Sequence, residues 1–236
     1  MNRFFLGAYW PAREESLDAC ADRASRFFTE VVEIDPLLGN WHERAKSRKG
    51  ALEKRADVKD REFLRELLKR GRHWTDIRRR LMKDLGFSFG LWNGQDEPRS
   101  IGLHVTCGLY FEGLSNCLTL DLPDELGGLR DVRQMRAVIA AVAKSWEPNW
   151  AGVMSEVAME RRKFDGSKPF VDWMLYISNR WLPSAPELKP PASIERLPAG
   201  TLIIVQDEPP DPDDPAHLEN IKQVVAALRG RVKVEA

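Results

Sequence analysis

Apolar residues alternate with polar ones in parts of this chain and recur at helical spacing in others, and the two patterns divide it into elements. The opening Arg3-Phe4-Phe5-Leu6-Gly7-Ala8-Tyr9-Trp10 is short, aromatic and stopped by Pro11, which predicts a strand. Leu17, Cys20, Ala21, Ala24, Phe27, Phe28 and Val31 then share one helical face, and Pro36 sets the end because the residue before a proline avoids helical geometry. Phe63, Leu64, Leu67 and Leu68 form a second stripe, with Asp60 placed as N-cap and Gly71 as stop. A further short helix is predicted from a Thr75 cap through Ile77, Leu81 and Leu85 to Gly86. Strands are expected over 87–93, 101–111 and 117–122, and the breaks at 94–98 and 112–116 are short enough for antiparallel hairpins.

Asp131 is placed to cap a helix carrying Val132, Met135, Val138, Ile139, Val142 and Trp146 on one face, ended by Pro148. Short strands follow near 150–154 and at 172–177, then a proline-rich connector over about 182–191 and a strand at 201–206. A last helix starts near Pro215 and carries Leu218, Ile221, Val224, Val225 and Leu228. No internal repeat is present. Strands cluster between helical blocks instead of alternating strictly with helices. That pattern predicts an α+β fold, a mainly antiparallel sheet flanked by helices, in a single domain over 1–236 with a helical, charged insertion at about 36–85. Phe4, Tyr9, Trp92, Val138, Val142 and Trp150 are expected to be largely buried.

The 236 residues are 43% hydrophobic and 31% charged, enough apolar material for a core and too much for a disordered chain. Lys plus Arg and Asp plus Glu number 36 each, so the formal net charge is zero. This excludes a chain basic or acidic throughout. The longest strictly apolar run, 137–143, is far short of the ~18 residues a membrane span needs. The first residues lack the apolar stretch and small-residue cleavage site of a signal peptide, so the expectation is a cytoplasmic protein without a membrane partner. Cys20, Cys107 and Cys117 have no metal-type spacing, and free thiols in a reducing compartment are expected. A hairpin could bring Cys107 and Cys117 together, but buried thiols are the preferred reading.

Gly86-Phe87-Ser88-Phe89-Gly90 matches the G-x-S-x-G pattern, which needs a strand before the serine and a helix after it to expose the hydroxyl on a strained turn. Here the order is reversed: a helix ends at Gly86 and a strand begins. A serine hydrolase at Ser88 is therefore the least favoured of three functional readings. His42, His73, His104 and His217 stand apart from one another, no H-E-x-x-H or zinc spacing occurs, and Gly127-Gly128 has no phosphate-loop continuation. No catalytic residue, cofactor or metal ligand is expected, and the chain reads as a non-enzyme.

Charge placement says more than charge total. Residues 44–83 hold 16 Lys or Arg against 6 Asp or Glu and are framed by Trp41 and Trp74. A basic helical segment with aromatics can hold phosphate backbones, which gives the alternative reading, a nucleic-acid-binding module, although a solvated helix face is the commoner outcome. Residues 206–220 instead carry Asp207, Glu208, Asp211, Asp213, Asp214 and Glu219 with no Lys or Arg, and Pro209, Pro210, Pro212 and Pro215 stiffen them. Such a segment can cap a helix or present ordered negative charge to a basic partner. Of the eight tryptophans, Trp10, Trp92, Trp146, Trp150 and Trp173 lie at element ends and are mostly expected in the core. Trp41, Trp74 and Trp181, in charged or proline-rich surroundings, are the candidate interface anchors.

Four blocks in order along the chain carry a resemblance: residues 1–11 (MNRFFLGAYWP), Gly90-Leu91-Trp92-Asn93, residues 146–155 (WEPNWAGVMS) and Val171-Asp172-Trp173-Met174. They resemble the signature blocks of the immunity protein 52 family, bacterial antitoxins of polymorphic toxin systems. The resemblance implies an α+β fold and a role without catalysis. The protein would bind and neutralise a cognate nuclease toxin with a restriction-endonuclease-like domain, encoded by an adjacent gene and delivered by type VI secretion. It supplies no partner-binding residues. Those expected from the residues themselves are Asp207, Glu208, Asp211, Asp213, Asp214, Trp41 and Trp74.

Overall fold

The computed structural model describes residues 3–76 and 80–234. The fold is α+β, with antiparallel strands and flanking helices, and its contacts divide the chain into two compact units.

One unit spans residues 10–121. Its strands β2 (Trp41–Glu43), β3 (Arg55–Ala56), β4 (Phe87–Trp92), β5 (Gly102–Cys107) and β6 (Ser115–Asp121) lie in the order β3-β2-β4-β5-β6, every neighbouring pair antiparallel. Alternation places Phe87, Phe89 and Leu91 of β4 with Leu103, Val105 and Cys107 of β5 on the buried face. Helix α1 (Leu17–Val31) buries the stripe read from the sequence, and Ser16 Oγ accepts the Ala19 N–H at 3.1 Å to start it. α2 (Arg48–Leu52) is one short turn, and α3 (Arg61–Arg70), begun by Asp60 accepting the Glu62 N–H at 2.8 Å, packs against α1. Gly71 ends α3 so close to β4 that a Cβ there would fall 1.6 Å from the Ser88 carbonyl oxygen. No other residue fits without moving backbone.

The helix expected from Thr75 to Gly86 does not form among the described residues. Trp74 instead bridges Leu81, the Thr75 N–H donates to the Arg80 carbonyl at 2.9 Å, and only a 3-10 turn follows at Lys83–Leu85. Thr75 Oγ1 also accepts the Arg80 N–H at 3.0 Å, a local bond that competes with helix, and the sparse stripe there gives a helix little to bury. Ile77, Arg78 and Arg79 lie outside the described residues. Strand β5 stops at Cys107, short of the expected 111, because Gly108 turns the chain at φ 68°. The Asn116 side chain then ties the turn, accepting from Leu109 N at 2.9 Å and donating to the Pro11 carbonyl at 2.8 Å.

The other unit comprises the residues up to Tyr9 and from Leu122 onward. Its strands are β1 (Phe4–Pro11), β7 (Trp150–Ser155), β8 (Met174–Ser178), β9 (Ser193–Leu197) and β10 (Gly200–Ile204), ordered β1-β7-β8-β10-β9 and antiparallel throughout. All six residues of β7 are buried, as in a strand covered on both faces. Helix α4 (Val132–Trp146) packs against β7 and β8. Asp131 starts it by accepting the Arg133 N–H at 2.7 Å, and Glu147 ends it at φ 51°. The short α5 (Glu156–Arg161) follows β7, and α6 (Pro215–Leu228) buries Ile221, Val224 and Leu228 against Leu175, Ile177, Ile203 and Val205. Leu218 and Val225, expected on that stripe, are exposed.

Of the six residues expected in the core, Phe4, Val138, Val142 and Trp150 are buried. Tyr9 and Trp92 are only half-buried: Tyr9 stacks on Trp150 at 4.8 Å, and the Trp92 indole N–H reaches Ser100 Oγ at 3.1 Å. Among the described residues no helix is long and apolar enough to cross a membrane.

Candidate functional site

Ser88 is not presented as a nucleophile. It lies inside β4 opposite Thr106, and its hydroxyl points to the Gly71 carbonyl at 3.5 Å. The neighbouring imidazole, His104, pairs with Gly90, and its Nε2 lies 3.2 Å from Thr106 Oγ1. Base and hydroxyl are not joined, and the serine sits on an ordinary strand. All three cysteines are free, Cys20 and Cys107 buried and Cys117 partly so, in line with the preferred reading of free thiols, and the two thiols in contact are Cys20 and Cys107. Cys117 faces Thr106 across the hairpin, whereas Cys107 points to the other side of the sheet, where the thiol of Cys20 on α1 contacts it. That contact and then burial hold the Cys107 thiol well above its usual range, the character of an inert core thiol.

The basic segment is neutralised in part where it folds, most completely along α3. Arg61 bonds Asp22 at 2.6 Å, Arg65 bonds Asp18 at 2.9 Å, Lys69 reaches Glu66 at 3.2 Å, and Arg70 reaches Glu43 at 3.0 Å. Lys59 pairs with Glu33 at 2.8 Å and Arg48 with Asp96 at 2.6 Å. Asp18, Asp22 and Glu33 come from α1 and the turn after it, and Asp96 from the β4–β5 loop, so a count over 44–83 misses them.

The acidic segment is ordered and fastened at its root. Buried Gln206 donates through Nε2 to the Glu208 carbonyl at 3.0 Å, while its own carbonyl accepts the Trp173 indole N–H at 3.2 Å. The five carboxylates then divide by task. Asp214 is the N-cap of α6, accepting the Ala216 N–H at 2.8 Å. Asp213 pairs with Arg161 at 2.8 Å, and Glu208 with Arg130 at 3.3 Å. The Asp211 carboxylate accepts the Asp213 backbone N–H at 2.9 Å, its backbone carbonyl accepts the Asp214 N–H at 3.2 Å, and its own N–H donates to His217 Nδ1 at 2.7 Å. Among the described residues Asp207 and Asp211 have no cationic partner, and both are exposed.

Trp41 and Trp181 are corrections. Trp41 is 1% exposed, with its indole N–H donating to the Leu38 carbonyl at 2.8 Å and its ring edge-on to Phe28 at 6.0 Å. Trp181 is buried too, in the core under α6. A neighbouring charge run hid from the sequence that these indoles point inward. Trp74 remains, 52% exposed, and with it the structure exposes Tyr110, Phe111 and Leu114, which no periodicity singled out. Leu81, the bridge partner of Trp74, and Tyr110 line a cavity of about 190 Å³ with Arg72, Lys83 and Phe87.

The residues thus define an antiparallel α+β scaffold whose chemistry lies in surface charge and exposed aromatics. The family model for immunity protein 52 matches residues 2–233, and the chain belongs to that family. No curated protein matches it by sequence. Among solved structures it is similar to the Pseudomonas aeruginosa T6SS protein PA0821, with a TM-score of 0.57 and 12% identity over 98% of this chain and 73% of that one. At that identity the likeness is one of fold.

Proposed function

We propose that this chain is an immunity protein that neutralises a nuclease toxin by binding it in the cytoplasm and carries out no chemistry itself. Membership of an immunity protein family supports the binding role. The resemblance noted in the sequence points to a toxin with a restriction-endonuclease-like domain encoded by the adjacent gene. The T6SS description of the structural neighbour supports delivery by type VI secretion.

The observation that carries the nuclease reading is the ordered acidic segment from Asp207 to Asp214. A nuclease must attract a polyanion, so its substrate groove is positive, and rigid carboxylates on a competitor fit that groove. The ion-pairing of α3 with α1 weighs against α3 as the contact surface of the nucleic-acid-binding alternative. Co-expression tests the proposal. The neighbouring gene product alone should degrade DNA and stop growth, and this chain should restore growth and co-purify with it. Growth arrest without DNA damage would overturn the nuclease assignment, and failure to protect would overturn the immunity role.

A further inference from the structure

Within the unit that contains Leu122 onward, a cleft of about 640 Å³ opens beside the acidic segment. Phe4, Leu126, Pro209, Pro210 and Pro212 give it apolar walls. Its rim carries Asp124, Glu125 and Asp211, with Arg130 as the one cation of the lining. Two of these four charges are already engaged: Asp124 bonds Arg3 at 2.8 Å, and Arg130 faces Glu208 at 3.3 Å. Glu125 and Asp211 are exposed and, among the described residues, have no cationic partner.

We infer that this cleft seats a basic segment of the partner protein, one Lys or Arg side chain lying along the Phe4–proline wall with its charged head between Glu125 and Asp211. Long cationic side chains are amphipathic. Their methylene stems gain from apolar walls while the head keeps polar contacts, and the cleft offers both within one opening. The unmatched charge of the rim is negative, which selects a cation over an anion and steers its approach. The walls are pre-set: proline fixes the backbone of one side, and Phe4 is held by strand pairing with Ser155 on the other. Little order is therefore lost on docking. Glu125 lies 86 residues before Asp211 in the chain, so the site is not an extension of the acidic run but is assembled by folding.

The inference deepens the immunity reading and rests on it for the partner's identity, but the chemistry of the cleft is testable apart from it. In the first arm, hexa-arginine peptide is titrated into the ¹⁵N-labelled full chain. Saturable shifts should centre on the amides of Glu125, Gly127 and Asp211, weaken with salt, and disappear in E125Q/D211N. Hexa-glutamate should leave them unmoved. Shifts spread over other acidic surfaces, no shifts, or an unchanged response in the double variant would overturn the site. The second arm uses the adjacent-gene toxin with its catalytic residue removed. E125K/D211N should bind it at least tenfold more weakly while melting at the wild-type temperature, since Glu125 is exposed and an Asn at 211 can still accept the Asp213 N–H. Equal binding by this variant would overturn the cleft as the toxin's seat and leave the immunity role intact. A cleft that binds the peptide in a protein that ignores the toxin would overturn the immunity role instead.

Discussion

Asp172 accepts the backbone N–H of Ser155 at 2.7 Å through Oδ2. This one bond fastens together two of the sequence blocks that carry the family resemblance. The other carboxylate oxygen takes Arg162 Nη2 at 3.0 Å, Arg162 Nη1 donates to the Val171 carbonyl at 2.7 Å, and its guanidinium lies 4.0 Å over the Phe170 ring. The Asp172 side chain is 2% exposed and that of Arg162 32%. Removing the carboxylate strands a buried N–H and a partly buried cation. D172A should cost about 2–3 kcal/mol, at the lower end for a broken buried pair because Arg162 still reaches water, and urea denaturation measures it.

The same residue gives stability a pH dependence of unusual sign. Burial raises the Asp172 carboxyl above the ordinary aspartate range, opposed by the Ser155 N–H and by Arg162. The folded chain therefore holds that proton more tightly than the unfolded chain, and this contribution to stability falls as pH rises from the ordinary aspartate value through the raised one. D172N should remove that part of the slope in melts taken across the acid range.

His104 behaves in the opposite sense. Burial, then Arg44, depress its pKa, and Asp121 partly restores it. Glycines at 90 and 102 make room for this grouping: a Cβ on Gly102 would lie 2.7 Å from Asp121 Oδ2 and 3.0 Å from Arg44 Nη2. Because folding disfavours the imidazolium, stability is lost as pH falls from the unfolded value of about 6.5 towards the lower folded one. In an NMR titration R44Q should move the His104 midpoint upward. An unchanged midpoint would remove Arg44 from the account.

The acidic segment should separate into two groups under mutation. D214A removes a helix cap and should cost about 1 kcal/mol of stability. D207N/D211N removes exposed carboxylates and should leave the melting temperature unchanged while slowing toxin association at low salt. The difference should fade as salt is added, and dissociation should change little. Stopped-flow association over a salt series distinguishes the two groups.

Trp41 and Trp74 should likewise part company. W41A empties a core site and should cost about 3–5 kcal/mol. W74A at an exposed site should stay within about 0.5 kcal/mol of wild type. If the aromatic surface around Trp74 takes part in the complex, W74A will speed toxin dissociation, which surface plasmon resonance reads directly.

What could be read in advance was governed by distance along the chain. The stripe of α1 and the caps Asp60 and Asp131 were legible because every determinant lies within a few residues. The strands β2, β3 and β9 were not, since three, two and five residues with little apolar alternation are held by their neighbours more than by their own pattern. The acidic segment was visible as composition, but its division of labour was not. Which carboxylate is spare depends on Arg161 and Arg130, some 50 and 80 residues away. The cleft beside it needed Glu125, which stands in a stretch without any distinguishing motif. Burial of Trp41 was hidden for the same reason: its partner Phe28 belongs to another element.

The pairing of α3 with α1 has a thermodynamic corollary. Binding of a cationic surface to DNA is driven in large part by the release of small ions condensed on the phosphates. The arginines Arg61 and Arg65 already have carboxylates covalently attached to the same chain, at Asp18 and Asp22. A phosphate arriving there must displace a tethered anion that cannot diffuse away, and that anion then repels it. The charge of the helix is present, but its capacity to gain entropy from a polyanion has been spent internally. Neutralising Asp18 and Asp22 would return only part of that capacity, because Glu62 and Glu66 of the same helix still lie 3.4 and 3.2 Å from Arg65.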